Sequence, residues 1–389
     1  MVIGLDAATM DLVGPWSARG ELPTLLSLMQ QGSYSRLLST PNMHSASAWT
    51  SILTGLSPGR HGLFVFSDRD YKTGKQVFFK GGDRMGRLIS DHLAPKGLAS
   101  GFLNVPMTYA AESSPNGFTV SGLDAPSLNE RAFSPPELRD ELLQRLPGYT
   151  FSPPGLGRLM STGKIDEALD LWRRLTETQT AAAEYLLSKH PVEFFMTVYT
   201  ASDWGGHNLW RVPARENSRE NSNDYKHPLP PGNELLQIYK MLDQAIARLL
   251  NLANSNTQVY IISDHGMGPH SGASYHLADW LVQNHFMVRT NQGRKGNALH
   301  AGRKLLKRTL PESLKKTIKS RMSPEQLELL KSTEKDSFYS SIDWSKTTAY
   351  TEPGRHVINI NLAGRNRNGI VAPSVLGGLC HRLIAGLEA

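Results

Sequence analysis

Three apolar runs in the sequence each lead to an aspartate. In chain order, the pairs of run and aspartate are residues 2–5 with Asp6, residues 194–199 with Asp203, and residues 259–263 with Asp264. Short apolar runs of this kind are typical of strands that are buried on both faces of a parallel sheet. Because open α/β sheets place their sites at the carboxyl ends of such strands, the pattern predicts an α/β fold with three carboxylates along one edge.

Two of these aspartates have a histidine close by. His265 follows Asp264 directly, and His207 lies four residues after Asp203. A carboxylate and an imidazole at a strand end can bind one divalent metal together. Each residue also has a purely structural explanation, since an aspartate after a strand often caps the next helix or forms a turn, and Asp203 with His207 could be a surface pair.

The length and composition of the chain narrow the possible classes of protein. The 389 residues suit one large α/β domain or two smaller ones. The single cysteine, Cys380, excludes an internal disulfide framework and a cysteine-rich zinc site. No apolar stretch is long enough to span a bilayer, so no transmembrane segment is expected. The lack of a signal peptide after Met1 favours a cytoplasmic location, but compartment and oligomeric state stay open.

The net charge of +7 is concentrated in one segment. Residues 289–321 contain eleven lysines or arginines and one acid, Glu312. Such a segment could bind an anionic surface or a polyanion, such as a phospholipid membrane or a nucleic acid. It could equally be the solvated face of helices, and the absence of aromatic residues between the charges argues against base stacking.

Hydrophobic periodicity predicts the order of the remaining elements. We expect helices at residues 22–30, 136–146, 165–189 and 233–252, a strand at residues 101–105, and extended structure at residues 348–362. A loop is expected at residues 113–136, and residues 211–232 are expected to cross the active-site edge of the sheet.

Ser45 is the candidate nucleophile. It begins the segment Ser45-Ala46-Ser47-Ala48-Trp49-Thr50-Ser51, which has helical character. A hydroxyl is a poor nucleophile at neutral pH and needs a base or a metal, and a helix amino terminus attracts an anionic phosphoryl group. A serine in this position can also be an ordinary helix N-cap.

Several motifs occur in a fixed order along the chain. They are Gly4-Leu5-Asp6-Ala7-Ala8-Thr9, Ser45-Ala46-Ser47-Ala48-Trp49-Thr50-Ser51, Thr54-Gly55 with Pro58-Gly59-Arg60-His61-Gly62, Asp203 with His207 and Trp210, Ser263-Asp264-His265-Gly266, and Ile360-Asn361-Leu362 with Gly364-Arg365. Together they resemble the type I phosphodiesterase and nucleotide pyrophosphatase branch of the alkaline phosphatase superfamily, over nearly the whole chain.

The resemblance implies an alkaline-phosphatase-like fold, which is a three-layer αβα sandwich around a mostly parallel sheet with helical cap insertions. We expect one catalytic domain over residues 1–389, incomplete at its carboxyl end, with cap-like insertions at about 113–189 and 281–341. The segment 58–62 is expected to fix the loop after the nucleophile helix, with Arg60 and His61 outside catalysis.

The same resemblance implies two divalent metal ions on either side of the nucleophile. Asp6, Ser45, Asp264 and His265 would surround one ion, and Asp203 and His207 would hold the other. Carboxylates and imidazoles without thiolates suit Zn²⁺, with Mn²⁺ as the alternative. Two ions roughly 4 Å apart can stabilise the attacking and leaving oxygens of an in-line displacement. Ser45 would carry the phosphoryl group in a covalent intermediate.

The chain departs from the family pattern at two places. The family supplies a third ligand to the second ion from a histidine near the carboxyl end, and the chain stops at Ala389 before such a segment. We therefore expect a fragment, and the alternatives are that His356 substitutes as the ligand or that the second site is weak. His270 and His276 are expected to be ordinary histidines. The second departure is Phe66, which aligns with a phosphate-contacting asparagine of the nucleotide pyrophosphatases.

The resemblance implies metal-dependent hydrolysis of a small-molecule phosphate ester, at a phosphodiester or pyrophosphate bond. A phosphotransferase or mutase of the same superfamily is the alternative within enzymes. A sulfatase is disfavoured, because Ser45 is not followed by the x-Pro-x-Arg signature. From another class, the chain could be a catalytically silent protein that binds an anionic partner through residues 289–321.

Overall fold

The computed structural model describes residues 1–73, 75–210, 232–268, 276–290, 338–352 and 357–388. They belong to two compact units. The first unit comprises Met1–Asp68 and Phe78–Gly272, and the second comprises Arg69–Val77 and Ala273–Ala389. All six candidate site residues lie in the first unit.

The strands of the described chain are short. In chain order they are β1 (Val2–Leu5), β2 (Ser67–Arg69), β3 (Gln76–Phe78), β4 (Ser100–Val105), β5 (Phe118–Ser121), β6 (Phe133–Ser134), β7 (Phe194–Tyr199), β8 (Tyr260–Ile262), β9 (Ala349–Tyr350) and β10 (Asn359–Ile360). Six of them form the main sheet in the order β6-β5-β4-β7-β1-β8. Every neighbouring pair in it is parallel except β5 with β6, which confirms the predicted mostly parallel sheet.

Helices account for much of the rest of the described chain. In chain order they are α1 (Met10–Ala18), α2 (Pro23–Gln31), α3 (Ser45–Thr54), α4 (Pro58–His61), α5 (Ile89–Leu93), α6 (Leu138–Arg145), α7 (Leu156–Thr162), α8 (Ile165–Lys189), α9 (Ala201–Leu209), α10 (Asn233–Leu250), α11 (Leu277–Gln283) and α12 (Leu376–Glu388). The predicted helices at 22–30, 136–146, 165–189 and 233–252 are confirmed to within two residues at each end as α2, α6, α8 and α10.

Helices cover both faces of the main sheet. Alternate strand residues point to opposite faces, so Ile3 and Leu5 join one apolar cluster while Val2 joins another. The first cluster contains the apolar residues of α1, α2, α8 and α10, and the second contains those of α3 and α5. The resulting helix, sheet and helix layers confirm the predicted α/β sandwich.

The predicted loop over residues 113–136 is wrong, because β5 and β6 lie within it and extend the main sheet. Helix α8 also packs in the larger core, so much of the range 113–189, which we expected to be a cap-like insertion, belongs to the layered core. The organisation as one catalytic domain stays a prediction. Of the segment 281–341, only residues 281–290 and 338–341 are described, and the excursion at 211–232 lies almost wholly outside the described residues.

The second unit has its own small core around Leu281, Tyr350 and Leu379. Asn361 is fully buried, and its side-chain amide faces the carbonyls of Trp344, Thr347 and Asn368 at 2.9–3.2 Å. This amide therefore joins three backbone segments of the unit.

Extended structure predicted at 348–362 is present as the two short strands β9 and β10. No helix in the described part of the chain combines the length and the apolar character that crossing a bilayer requires.

Candidate active site

Strand β1 lies between β7 and β8, so the ends of all three acid-bearing strands are neighbours. Val2 is in register with Met196 of β7 and with Tyr260 of β8. Asp6 therefore leaves the sheet beside Asp264, and the Ala7 N–H donates to Asp264 Oδ1 at 3.2 Å. The shared edge that the sequence predicted for the three aspartates is thus present.

Ser45 is brought to this edge by α3. It is the first residue of the helix, and the N-cap is His44, whose Nδ1 accepts a hydrogen bond from the Ala46 N–H at 3.2 Å. The Ser45 hydroxyl is therefore not the cap. Its Oγ donates to Asp6 Oδ1 at 3.2 Å and lies 3.1 Å from His265 Nε2.

Asp6, Asp203 and His265 each place one ligand-type atom within 4.8 Å of the others. The resemblance implies that Asp203 and His207 hold a separate ion, and in the structure Asp203 lies in the same cluster as Asp6. Asp264 adjoins the cluster, since its Oδ2 is 3.5 Å from His265 Nε2. The individual ligand roles stay predictions.

His207 lies at the margin of this group. It is one turn after Asp203 on α9, and its Nε2 is 3.3 Å from Asp203 Oδ1. This hydrogen bond raises the pKa of His207, although the side chain is 65% exposed. His207 therefore contacts Asp203 but lies outside the cluster of Asp6, Asp203 and His265.

The other histidines considered as ligands do not add to the described site. His356 and His270 lie outside the described residues. His276 is exposed, and its Nδ1 is 3.3 Å from Asp279.

The carboxylates are arranged at an electrostatic cost. Burial, together with the charges of Asp264 and Asp203, raises the pKa of Asp6 well above its usual value. Burial likewise raises the pKa of Asp264. Its Oδ2 is buried and receives no hydrogen bond from the part of the chain that the structure describes. Carboxylates crowded in this way fit a divalent cation, which would offset their charge and occupy the unpaired oxygen.

Three residues without an assigned role in the sequence analysis hold the acids in place. The Trp49 indole donates to Asp6 Oδ2 at 3.1 Å, the Ser202 hydroxyl donates to the Asp6 carbonyl at 2.6 Å, and the Ser39 hydroxyl donates to the Asp264 carbonyl at 2.6 Å. Only Trp49 had a sequence signal, because it follows Ser45 by four residues and so shares its helix face.

The loop after α3 is held by His61, which is fully buried. Its Nδ1 accepts the Leu63 N–H at 3.1 Å, and its Nε2 lies 2.9 Å from the Ser51 hydroxyl. This arrangement matches the expected structural role. Phe66 packs beside the N-cap of α3, with its ring centroid 5.2 Å from that of His44.

A family model described as type I phosphodiesterase / nucleotide pyrophosphatase matches residues 1–353. The chain belongs to this family. The match covers most of the chain and confirms the resemblance carried by the motifs. None of the curated proteins matches the sequence of this phosphodiesterase-family chain.

Solved structures similar to this phosphodiesterase-family chain include two of phosphonoacetate hydrolase from Sinorhizobium meliloti 1021. The complex with phosphonoformate is 16% identical and has a TM-score of 0.48. The complex with phosphonoacetate is 15% identical and has a TM-score of 0.47. Each match covers 72% of this chain and 60% of the hydrolase, so the chain spans less than two thirds of the hydrolase's length.

Proposed function

We propose that this protein hydrolyses phosphate esters with the help of divalent metal ions, and that Ser45 is the nucleophile. The observation that carries the proposal is the position of the Ser45 hydroxyl, 3.2 Å from Asp6 Oδ1 and 3.1 Å from His265 Nε2. Both partners are residue types that bind metals, and Asp203 lies in the same cluster. Membership of the phosphodiesterase family supports the same chemistry.

Ser45 would attack the phosphorus of the substrate with its Oγ. Asp6 Oδ1, which accepts the hydrogen bond of this hydroxyl, is placed to receive its proton. The phosphorus–oxygen bond to the alcohol group then breaks, and the alkoxide leaves with a proton from water. The hydroxide so formed next attacks the phosphoserine, the bond between Oγ and phosphorus breaks, and the proton held by Asp6 returns to Oγ, which restores the Ser45 hydroxyl.

The amino terminus of α3 supports binding of the phosphoryl group, because the helix dipole places partial positive charge there and this charge attracts an anion. Asp6, Asp203, Asp264 and His265 would hold the first cation, and His207 would contribute to a second one beside Asp203. Zn²⁺, or Mn²⁺ in its place, would supply a positive charge that lowers the pKa of the attacking hydroxyl and stabilises the leaving oxygen.

We infer a phosphodiester or pyrophosphate as the substrate. Phe66 differs from the asparagine that nucleotide pyrophosphatases use at the aligned position, and its ring lies against His44, next to the nucleophile. An aromatic side chain offers apolar contact in place of an amide hydrogen bond. A panel of phosphate monoesters, diesters and pyrophosphates would rank these classes directly.

The decisive test compares Ser45→Ala with Ser47→Ala in the full chain. Ser47 is on the same helix, and its buried hydroxyl has no hydrogen-bond partner among the residues described. With bis-p-nitrophenyl phosphate and Zn²⁺, we expect Ser45→Ala to lower turnover about 10³-fold or more, and Ser47→Ala to lower it only a few-fold.

Removal of metal by a chelator should abolish turnover, and added Zn²⁺ or Mn²⁺ should restore it. Full turnover by Ser45→Ala would refute the nucleophile, and turnover that resists chelation would refute the metal requirement.

A further inference from the structure

We propose that Trp49 is a positioning residue of the site, which holds Asp6 so that a single carboxylate oxygen faces the nucleophile and the cation. The inference rests on the proposed function, because it concerns the metal ligand Asp6. It adds a residue that acts on the site without being a ligand or a nucleophile.

The two oxygens of Asp6 have different partners on one helix. The Trp49 indole N–H donates to Oδ2 at 3.1 Å, and the Ser45 hydroxyl donates to Oδ1 at 3.2 Å. Residues four apart on a helix lie on the same face, so α3 presents both donors to the same carboxylate. The oxygen held by Trp49 is therefore turned away, and Oδ1 is the one near His265 Nε2, at 3.7 Å.

The two carboxylate oxygens of Asp264 also differ in their surroundings. Its Oδ1 accepts the Ala7 backbone N–H at 3.2 Å, while its Oδ2 has no hydrogen bond within the described residues and lies 3.5 Å from His265 Nε2. Each acid thus has one oxygen held by the protein and one left toward the cluster. For Asp264 the holding donor is backbone, and for Asp6 it is the side chain of Trp49.

An indole suits this role chemically. Its N–H is a donor only and carries no charge, so it fixes a carboxylate oxygen without competing as a cation. Trp49 is fully buried, and its donor cannot be replaced by bulk water. Removal of a hydrogen bond that orients a metal ligand typically weakens metal affinity about 10–100-fold.

The ring is also held against the strand that carries Asp6. A Cβ built on Gly4 would lie 2.5 Å from Cη2 of Trp49, which shows that the indole occupies the space beside β1 that only a glycine leaves open. The same side chain therefore fixes the distance between helix α3 and strand β1. A shift of the ring would move Ser45 and Asp6 relative to each other.

The test measures binding of Zn²⁺ alone by isothermal titration calorimetry on the chelator-treated full chain. Trp49→Phe keeps an aromatic ring but removes the N–H. Trp172→Phe is the matched control, because Trp172 is also fully buried and its indole N–H has no hydrogen-bond partner within the described residues. Asp6→Asn removes the charged ligand itself.

We expect Trp49→Phe to weaken Zn²⁺ binding about 10–100-fold and Trp172→Phe to leave it within about two-fold of wild type. Wild-type affinity in Trp49→Phe, together with weakened binding in Asp6→Asn, would overturn the positioning role alone. Wild-type affinity in Asp6→Asn would overturn the proposed metal ligand and the inference with it.

A second measurement needs no folded variant at position 49. In ¹⁵N-indole spectra of the wild-type protein, the Trp49 resonance should be the one that shifts both when Zn²⁺ is added and in Asp6→Asn. The Trp172 resonance, which is identified by its absence from the spectrum of Trp172→Phe, should not shift when Zn²⁺ is added. If no indole resonance responds to both Zn²⁺ and Asp6→Asn, Trp49 does not report on the ligand and the inference fails.

Discussion

The Ala7 N–H donates to Asp264 Oδ1 at 3.2 Å, between residues 257 positions apart in the sequence. This contact joins the ends of β1 and β8 and orients the Asp264 carboxylate. Its second oxygen is buried without a hydrogen bond from the described chain, and burial raises the pKa of the group. The buried Asp264 carboxylate is therefore expected to lower the stability of the metal-free protein, and a bound cation is expected to offset that loss.

Asp264→Asn should separate these two effects. The amide keeps an acceptor for the Ala7 N–H but removes the buried charge, so the melting temperature of the metal-free variant should equal or exceed that of wild type. The rise in melting temperature on adding Zn²⁺ should largely disappear, because Zn²⁺ affinity should fall about 100-fold or more. Thermal unfolding with and without Zn²⁺ measures both effects. An undiminished rise would argue against Asp264 as a ligand.

The raised pKa of Asp6 predicts a pH dependence of stability in the metal-free protein. The folded state keeps the Asp6 proton to higher pH than the unfolded chain does, so this group contributes stability below its ordinary pKa of 3.8 that is lost as pH rises through the folded pKa. Asp6→Asn does not titrate and should lack that loss.

This contribution is measured by urea unfolding of wild type and Asp6→Asn in the presence of chelator, at several pH values between about 4 and about 7. The difference between the two free energies of unfolding at each pH gives the contribution of Asp6. Wild type should lose stability relative to Asp6→Asn as pH rises. Parallel profiles would show that Asp6 titrates normally.

Gly4→Ala should damage the packing of Trp49 against β1. The added Cβ would lie 2.5 Å from Trp49 and 2.8 Å from the Val198 side chain, and both neighbours are buried. Overpacking of this kind typically costs about 1–3 kcal/mol, so the free energy of unfolding should fall by that amount.

Gly14→Ala is the matched control, because a Cβ at Gly14 would meet nothing within 4 Å and the residue lies inside helix α1. That change should leave stability equal or raise it by up to about 1 kcal/mol. Equal effects of the two substitutions would mean that the close approach at Gly4 is relieved without cost.

Asp243→Ala should destabilise the fold without changing the binding of Zn²⁺ at the candidate site. Asp243 of α10 is buried, and its two oxygens accept the N–H groups of Thr24 and Leu25 at the start of α2, at 3.1 and 2.8 Å. Loss of a charged acceptor for two donors is expected to cost about 2–4 kcal/mol, measured as the free energy of unfolding.

Asp166→Ala provides the control, since Asp166 is an exposed residue in the first turn of α8. Its effect should stay within about 0.5 kcal/mol. Zn²⁺ affinity should be unchanged in both variants, and a loss of affinity in Asp243→Ala would show that this helix contact extends to the site.

The parallel sheet and its acidic edge could be predicted because each of β1, β7 and β8 is a continuous apolar run that ends near an aspartate. Strands β5 and β6 could not, because they are short and lie in a segment rich in proline, serine and asparagine. Their pairing with residues distant in sequence stabilises them, and local composition does not report such pairing.

Within the site, the acids and histidines could be identified as candidate ligands from their chemistry, but the sequence could not give the distances between them. The family resemblance gave Asp203 to a second ion with His207, and the sequence could not show how close Asp203 lies to Asp6, because that distance depends on the order of strands in the sheet. Trp49 had no assigned role because its function depends on which oxygen of Asp6 it meets.

Strand β1 pairs with β7 on one side and β8 on the other. During synthesis on the ribosome it precedes the other strands of the main sheet, and both of its partners emerge only after most of the first unit has been translated. Its two hydrogen-bonding edges therefore have no partner in the main sheet for much of translation, and the acids can come together only when the final strand of that sheet arrives. Interruption of synthesis before β8 is made would leave β1 as an open edge of the sheet, an exposed apolar segment that chaperones and proteases can recognise.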